Sequence, residues 1–139
     1  MNFEINLLYL FAWSYMIIGP VSGIYMSRWA YKGATKVPDG FDEYTSERRR
    51  IYRVAHINGF VFPYMCIMWG LTVQQSQLSD SMITVGAILM ATSTVFMTLP
   101  LFLSLKWPKL RNVSALGAVS LVGGIGVISW GLLQSILMH

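Results

Sequence analysis

Four long apolar runs separated by three polar connections set the pattern of this chain. Each run is about twenty residues, the length an α-helix needs to cross the hydrocarbon of a bilayer. They lie at about 5–26, 47–73, 82–105 and 113–137 and predict an all-α, four-transmembrane-helix bundle, a single membrane domain over 1–139. Within the first run, Gly19 and Gly23 form a GxxxG pair with Ser22 beside it, which predicts close approach of another helix. Pro20 removes a helix hydrogen bond and predicts a bend there. In the second run, Arg49, Tyr52, His56, Gly59 and Pro63 recur at steps of three and four and share one helix face. That face is polar, then small, and a stripe facing lipid would not look so. Pro63 is expected to free the Gly59 carbonyl and loosen the helix there. The third run carries a small, hydroxyl-bearing seam, Thr84, Ala87, Ala91, Thr94 and Thr98, with a kink expected at Pro100; the fourth sets Gly117, Ser120, Gly124 and Gly131 on one face.

The connections carry their own signals. Trp29 and Tyr31 suit a membrane–water interface, and Val37-Pro38-Asp39-Gly40 reads as a turn. Thr45 or Ser46 is expected to cap the second helix, with Glu47 favourably placed in its first turn. Arg48, Arg49 and Arg50 oppose the helix dipole there, so topology or acidic groups must account for them.

Composition agrees with a membrane chain: 55% of residues are hydrophobic and 12% charged, against about 25% charged in soluble domains. The net charge of +4 is not spread as a nucleic-acid surface would be, and no nucleic-acid partner is expected. All ten basic residues are Arg28, Lys32, Lys36, Arg48, Arg49, Arg50, Arg53, Lys106, Lys109 and Arg111, in two groups that four spans put on the same side. The positive-inside rule then predicts a multi-pass protein of the inner (cytoplasmic) membrane, with both termini outside and membrane lipid around it. The first run lacks a basic n-region and is read as retained. Cys66 stands alone within a span and reads as a small hydrophobe.

The chemistry concentrates on His56. Ionisable side chains inside a span are costly and usually functional. The imidazole either hydrogen-bonds to a neighbouring helix or serves as an axial ligand of haem. Ligation needs a neutral ring whose second nitrogen is held by a hydrogen bond, small residues that admit a flat macrocycle, and cations near its propionates. Gly59 supplies the small residue, and Arg49 and Arg53, with Arg48, supply the cations. His139 lies at the far face, about 30 Å away across the hydrocarbon, so the two histidines cannot bind one iron within a chain. A quinone- or lipid-binding electron-transfer protein would need its second ligand from another chain.

The segment VPDGFDEY, followed by YRVAHINGF, resembles the styrene-oxide isomerase family where its first two membrane helices join. There a Val-Pro turn precedes an Ala-His-x-x-Gly-like stretch that opens the second helix. The resemblance implies a four-helix membrane protein that assembles as a homo-oligomer, a trimer, with haem b held between subunits by His56. It also implies isomerisation of a small apolar substrate, an aryl epoxide, to an aldehyde, with ferric iron as Lewis acid. Asn58, Tyr52 or Tyr64 would orient the epoxide. Asn58 lies almost opposite His56 around the helix, so it would serve a neighbouring subunit's site. The family's third helix presents an acid, an asparagine and a tyrosine, whereas here MATSTVFMTLP (90–100) offers only Thr94 and Thr98 as orienting groups. A reading of another class is a non-catalytic membrane subunit or assembly partner, in which His56 only packs.

Overall fold

The computed structural model of the chain describes residues 3–30 and 37–138. Among the described residues every regular element is helical: α1 (Phe3–Tyr15), α2 (Ile18–Ala30), α3 (Glu47–Val73), α4 (Asp80–Ser104), a 3-10 turn (Pro108–Val113) and α5 (Ser114–Leu137). Four passes, with α1 and α2 together making the first, are long and apolar enough to cross a membrane. This is an all-α four-helix bundle of a multi-pass membrane protein. Its outward surface agrees, because Leu10, Ile24, Val54, Ile57, Val61, Leu71, Val119 and Val122 all stand exposed. Lipid takes these side chains as readily as a core would.

The first pass divides earlier than Pro20 predicts. The break falls at Met16 and Ile17, one turn before the proline, because Pro20 has no N–H to give the Met16 carbonyl. Gly19 N donates to that carbonyl instead, at 3.1 Å. Pro63 and Pro100 end nothing: α3 runs on past the first and α4 past the second, both buried. Neighbouring helices hold the chain on either side of each proline, which is why such residues are tolerated within membrane spans.

The helices meet where side chains are small. On α5 the buried residues are Gly117, Gly124 and Gly131, three of the four positions on the expected face. Met97, Met90 and Leu78 lie against them in turn. On α4, Ala87, Thr94 and Thr98 are buried as the seam predicts, and the α4 seam faces both α3 and α5. Trp69 of α3 rivets the three together: its ring lies against Gly86, and its Nε1 donates to the Gly124 carbonyl at 2.9 Å. Around it, Ile5, Leu8, Ala12, Cys66, Val73, Ile83 and Met90 form the main core at the end away from the arginines. Cys66 is fully buried as a small residue, its thiol hydrogen-bonded with Thr94 Oγ1 at 3.1 Å.

At the basic end, Pro38 to Phe41 form the turn, closed by Phe41 N donating to the Pro38 carbonyl. It is shifted one residue from the expected position, because Gly40, with φ of +79°, takes the third place, where a type II turn needs it. Ser46 is the cap of α3, its hydroxyl accepting from Arg49 N. Trp29 is turned inward at this end of the bundle. It is 3% exposed, edge-on to Phe41 and Tyr52 in a second, aromatic core, because the 37–41 turn folds back over it. Tyr31, Lys32, Lys36 and His139 lie outside the described residues.

Two glycines of α5 separate packing from propensity. A Cβ on Gly117 falls 2.8 Å from Met97 N and 2.9 Å from the Phe96 carbonyl carbon, backbone that cannot yield. Gly117→Ala is expected to cost about 1–3 kcal/mol by overpacking. A Cβ on Gly126 meets nothing within 4 Å. Gly126→Ala is expected to be neutral or to gain up to about 1 kcal/mol from alanine's better helix propensity. Unfolding by SDS titration in mixed micelles measures both.

Candidate functional site

The polar face of α3 lies against α2, and their meeting point is Ser22. Both of its oxygens are used. Tyr52 Oη donates to the Ser22 backbone carbonyl at 2.9 Å, and His56 Nδ1 lies 2.9 Å from Ser22 Oγ. Tyr52 and His56 are four residues apart, one turn along the same face, so one serine anchors both.

The GxxxG pair explains how an imidazole reaches so close. Gly59 of α3 sits on Gly19, a Cβ there lying 3.1 Å from Gly19 N, and the Phe60 ring fills the space over Gly19. One turn on, Gly23 faces His56, its hypothetical Cβ only 3.0 Å from the ring's Cε1. Phe60 stands edge-on to His56 at 5.4 Å between ring centres. The ring is thus held by a hydrogen bond at one corner, by backbone on one side and by an aromatic ring on the next turn.

One tautomer meets both of the Ser22 contacts at once. Ser22 Oγ donates its single proton to the Gly19 carbonyl at 2.9 Å. With the proton placed there, it accepts from His56 Nδ1–H, and the Nε2 lone pair is left available. No described residue hydrogen-bonds to Nε2, and the ring is half-buried on the outer flank of the α2–α3 contact. Metal-ligating histidines have this arrangement, one nitrogen fixed by a hydrogen bond so that the other can bind. Among the described residues no three His, Cys, Asp or Glu side chains come together as a metal cage.

Arg49 and Arg53 continue the same flank toward the basic end. Arg49 donates to the Ala30 carbonyl at 2.9 Å, and its guanidinium lies 5.6 Å from the centre of the Trp29 ring. Arg53 stacks on Tyr44 at 3.8 Å, and its Nη1 has no hydrogen-bond partner among the described residues. The fold therefore brings together Arg49, Tyr52, Arg53, His56 and Gly59. Two other candidates lie elsewhere. Asn58 faces α4 of its own chain, not a neighbouring subunit, with Nδ2 donating to the Met97 carbonyl at 2.7 Å. Tyr64 is exposed on the outer face of α3, two turns beyond His56.

Tyr52 buries its ring between Trp29, Phe41 and Phe102, and its hydroxyl is engaged by Ser22. On the other flank of Ser22, away from Gly23, an open apolar groove of about 430 Å³ runs past Ile18, Val21, Tyr25 and Phe102. The sequence pointed to Ser22 only as a small residue beside the glycine pair. Its role as the anchor of His56, and the stacking of Tyr44 on Arg53, follow from contacts across at least nine residues and have no local signal. Compared with protein-family models, curated proteins and solved structures, the chain matches none.

Replacing Ser22 by alanine removes the acceptor that fixes the tautomer. In a His139→Asn background, which isolates the signals of His56, ¹⁵N shifts should report a protonated Nδ1 and an unprotonated Nε2. Ser22→Ala should mix the two tautomers and lower stability by about 1 kcal/mol, the usual scale for a hydrogen bond between membrane helices. An unchanged tautomer would show that Ser22 does not set it.

Proposed function

We propose that this chain is a haem b protein of the inner membrane, ligating iron through His56 Nε2. The observation that carries the reading is the pairing of His56 Nδ1, held by its contact with Ser22 Oγ, with an unpartnered Nε2 on the outer flank of the bundle. The surroundings fit the group. The Phe60 ring borders the imidazole, and Arg53 and Arg49 lie one and two turns away as cations for propionates, while Gly59 is taken up by its contact with Gly19. His56 is half-buried on the flank of one chain, so a second copy would complete the walls of the site. This favours a homo-oligomer, and the family resemblance suggests a trimer. The two basic groups meet at one end of the bundle, where Glu47 pairs with Arg111, and we place that end in the cytoplasm with both termini outside.

Ferric haem would supply a Lewis acid able to polarise the C–O bond of an epoxide. The activity that accompanies it, by resemblance, is isomerisation of an aryl epoxide to an aldehyde. This chain's residues narrow who orients that substrate. Tyr52 and Asn58 already donate to the Ser22 and Met97 carbonyls. Tyr64, exposed and without a hydrogen-bond partner among the described residues, is the orienting group we assign, reaching the site of an adjoining copy. A second reading, a non-catalytic membrane subunit, is favoured by the same His56–Ser22 contact, which joins α2 to α3 without any cofactor.

An absorption spectrum separates the two. Detergent-purified protein expressed with ample haem should show a Soret band, lost in His56→Ala and retained in Tyr64→Phe. Styrene oxide should give phenylacetaldehyde with the wild type, and Tyr64→Phe should slow this by about a hundredfold, the lower end for loss of a positioned polar group. A colourless wild type supports the structural subunit.

A further inference from the structure

The flank of α3 away from His56 carries a second constellation. Glu47, in the first turn of α3, pairs with Arg111 of the 3-10 turn, tying α3 to the connection between α4 and α5. Two cavities open beside this bridge, both walled by Glu47, Ile51 and Arg111. The smaller, about 290 Å³, reaches Arg48 under the 3-10 turn; the larger, about 500 Å³, reaches Arg50 at its rim and Val54 and Leu101 at its floor.

The order of these groups along the helix is the argument. Arg50 and Arg111 lie at the end of the bundle where the arginines gather, and Val54 lies one turn deeper with Leu101 across from it on α4. Val54 is 49% exposed, so the cavity opens sideways to the surrounding lipid. A cleft with cations at the interface and apolar walls beneath matches an amphiphile with an anionic head and a hydrocarbon tail. Its volume lies within the range of about 300–1,000 Å³ usual for ligand sites. Glu47 cancels one charge, but it also holds Arg111 across the cleft from Arg50. The Arg50 side chain makes no hydrogen bond to any described residue, so its donors are unspent. A zwitterionic lipid would bring a cation of its own to this rim. A soluble phosphate would leave the Val54–Leu101 floor without a role.

We propose that the α3–α4 cleft binds an anionic phospholipid, its phosphate between Arg50 and Arg111 and an acyl chain along Val54 and Leu101. Glu47 acts as a positioning residue for Arg111. The site is independent of haem, since none of its residues touches His56.

Native mass spectrometry of the full chain, released from micelles doped with phosphatidylglycerol or phosphatidylcholine, tests this. Phosphatidylglycerol should be retained in preference to phosphatidylcholine. Arg50→Gln should weaken retention about fivefold and the pair R50Q/R111Q about 30-fold, the scale of one and two interfacial cations. Val54→Trp keeps both cations and fills the floor, and should also weaken retention. Equal retention of the two lipids, or retention unmoved in Arg50→Gln and Val54→Trp alike, overturns the proposal. So does full displacement of phosphatidylglycerol by millimolar inorganic phosphate, which would make the rim a site for phosphate and not for lipid.

Discussion

Helices dissolved in hydrocarbon gain little by hiding leucine from their surroundings, so what holds this bundle is how closely its backbones approach. Gly59 sits directly on Gly19, and Gly117, Gly124 and Gly131 each receive a side chain from α4 or from the connection before it. Each contact brings many weak dispersion attractions into range at once. The same constraint accounts for the large side chains turned outward, since lipid receives them at no loss. It also accounts for the few polar side chains at the helix contacts, because a polar group in hydrocarbon must find its partner within the protein. Trp69 reaches the Gly124 carbonyl, Asn58 the Met97 carbonyl and Cys66 the Thr94 hydroxyl, and each ties α3 to another helix.

The candidate site is a product of that same close approach. Without Gly19 the Phe60 ring would have no room, and without Gly23 the His56 ring would be pushed from Ser22. The GxxxG pair thus packs two helices and, in doing so, brings an imidazole within reach of a serine hydroxyl. A packing motif and a ligand-positioning motif are here one set of atoms.

What the sequence made legible follows from periodicity. The four spans, the face holding Arg49, Tyr52, His56 and Gly59, the glycine seam of α5 and the Ser46 cap are all local regularities, and the structure contains them. What it hid was decided at long range. The break at Met16 and Ile17 depends on which carbonyl a proline leaves without a donor, and Gly19 takes it up. Trp29 looked interfacial because its neighbours in sequence are polar, yet the 37–41 turn covers it. Asn58 was placed correctly around the helix, but helical angle alone does not say which chain stands opposite, and α4 does. None of this bears on whether His56 binds iron, which no local pattern decides.

The hydrogen bond to Ser22 suits a packing histidine and a ligating one equally, so the discriminating atoms are those left over. Nε2 is an acceptor without a donor, and Arg53 Nη1, one turn away on the same flank, is a donor without an acceptor among the described residues. A histidine present only to join helices leaves both needs open, at the cost of an unmet polar group near hydrocarbon. A metal taken up at Nε2 would meet the first need, whereas the second lies inside the chain, where Arg53 stacks on Tyr44. The atom that separates a ligating His56 from a packing one is therefore Nε2, since the ring's other nitrogen is already engaged by Ser22.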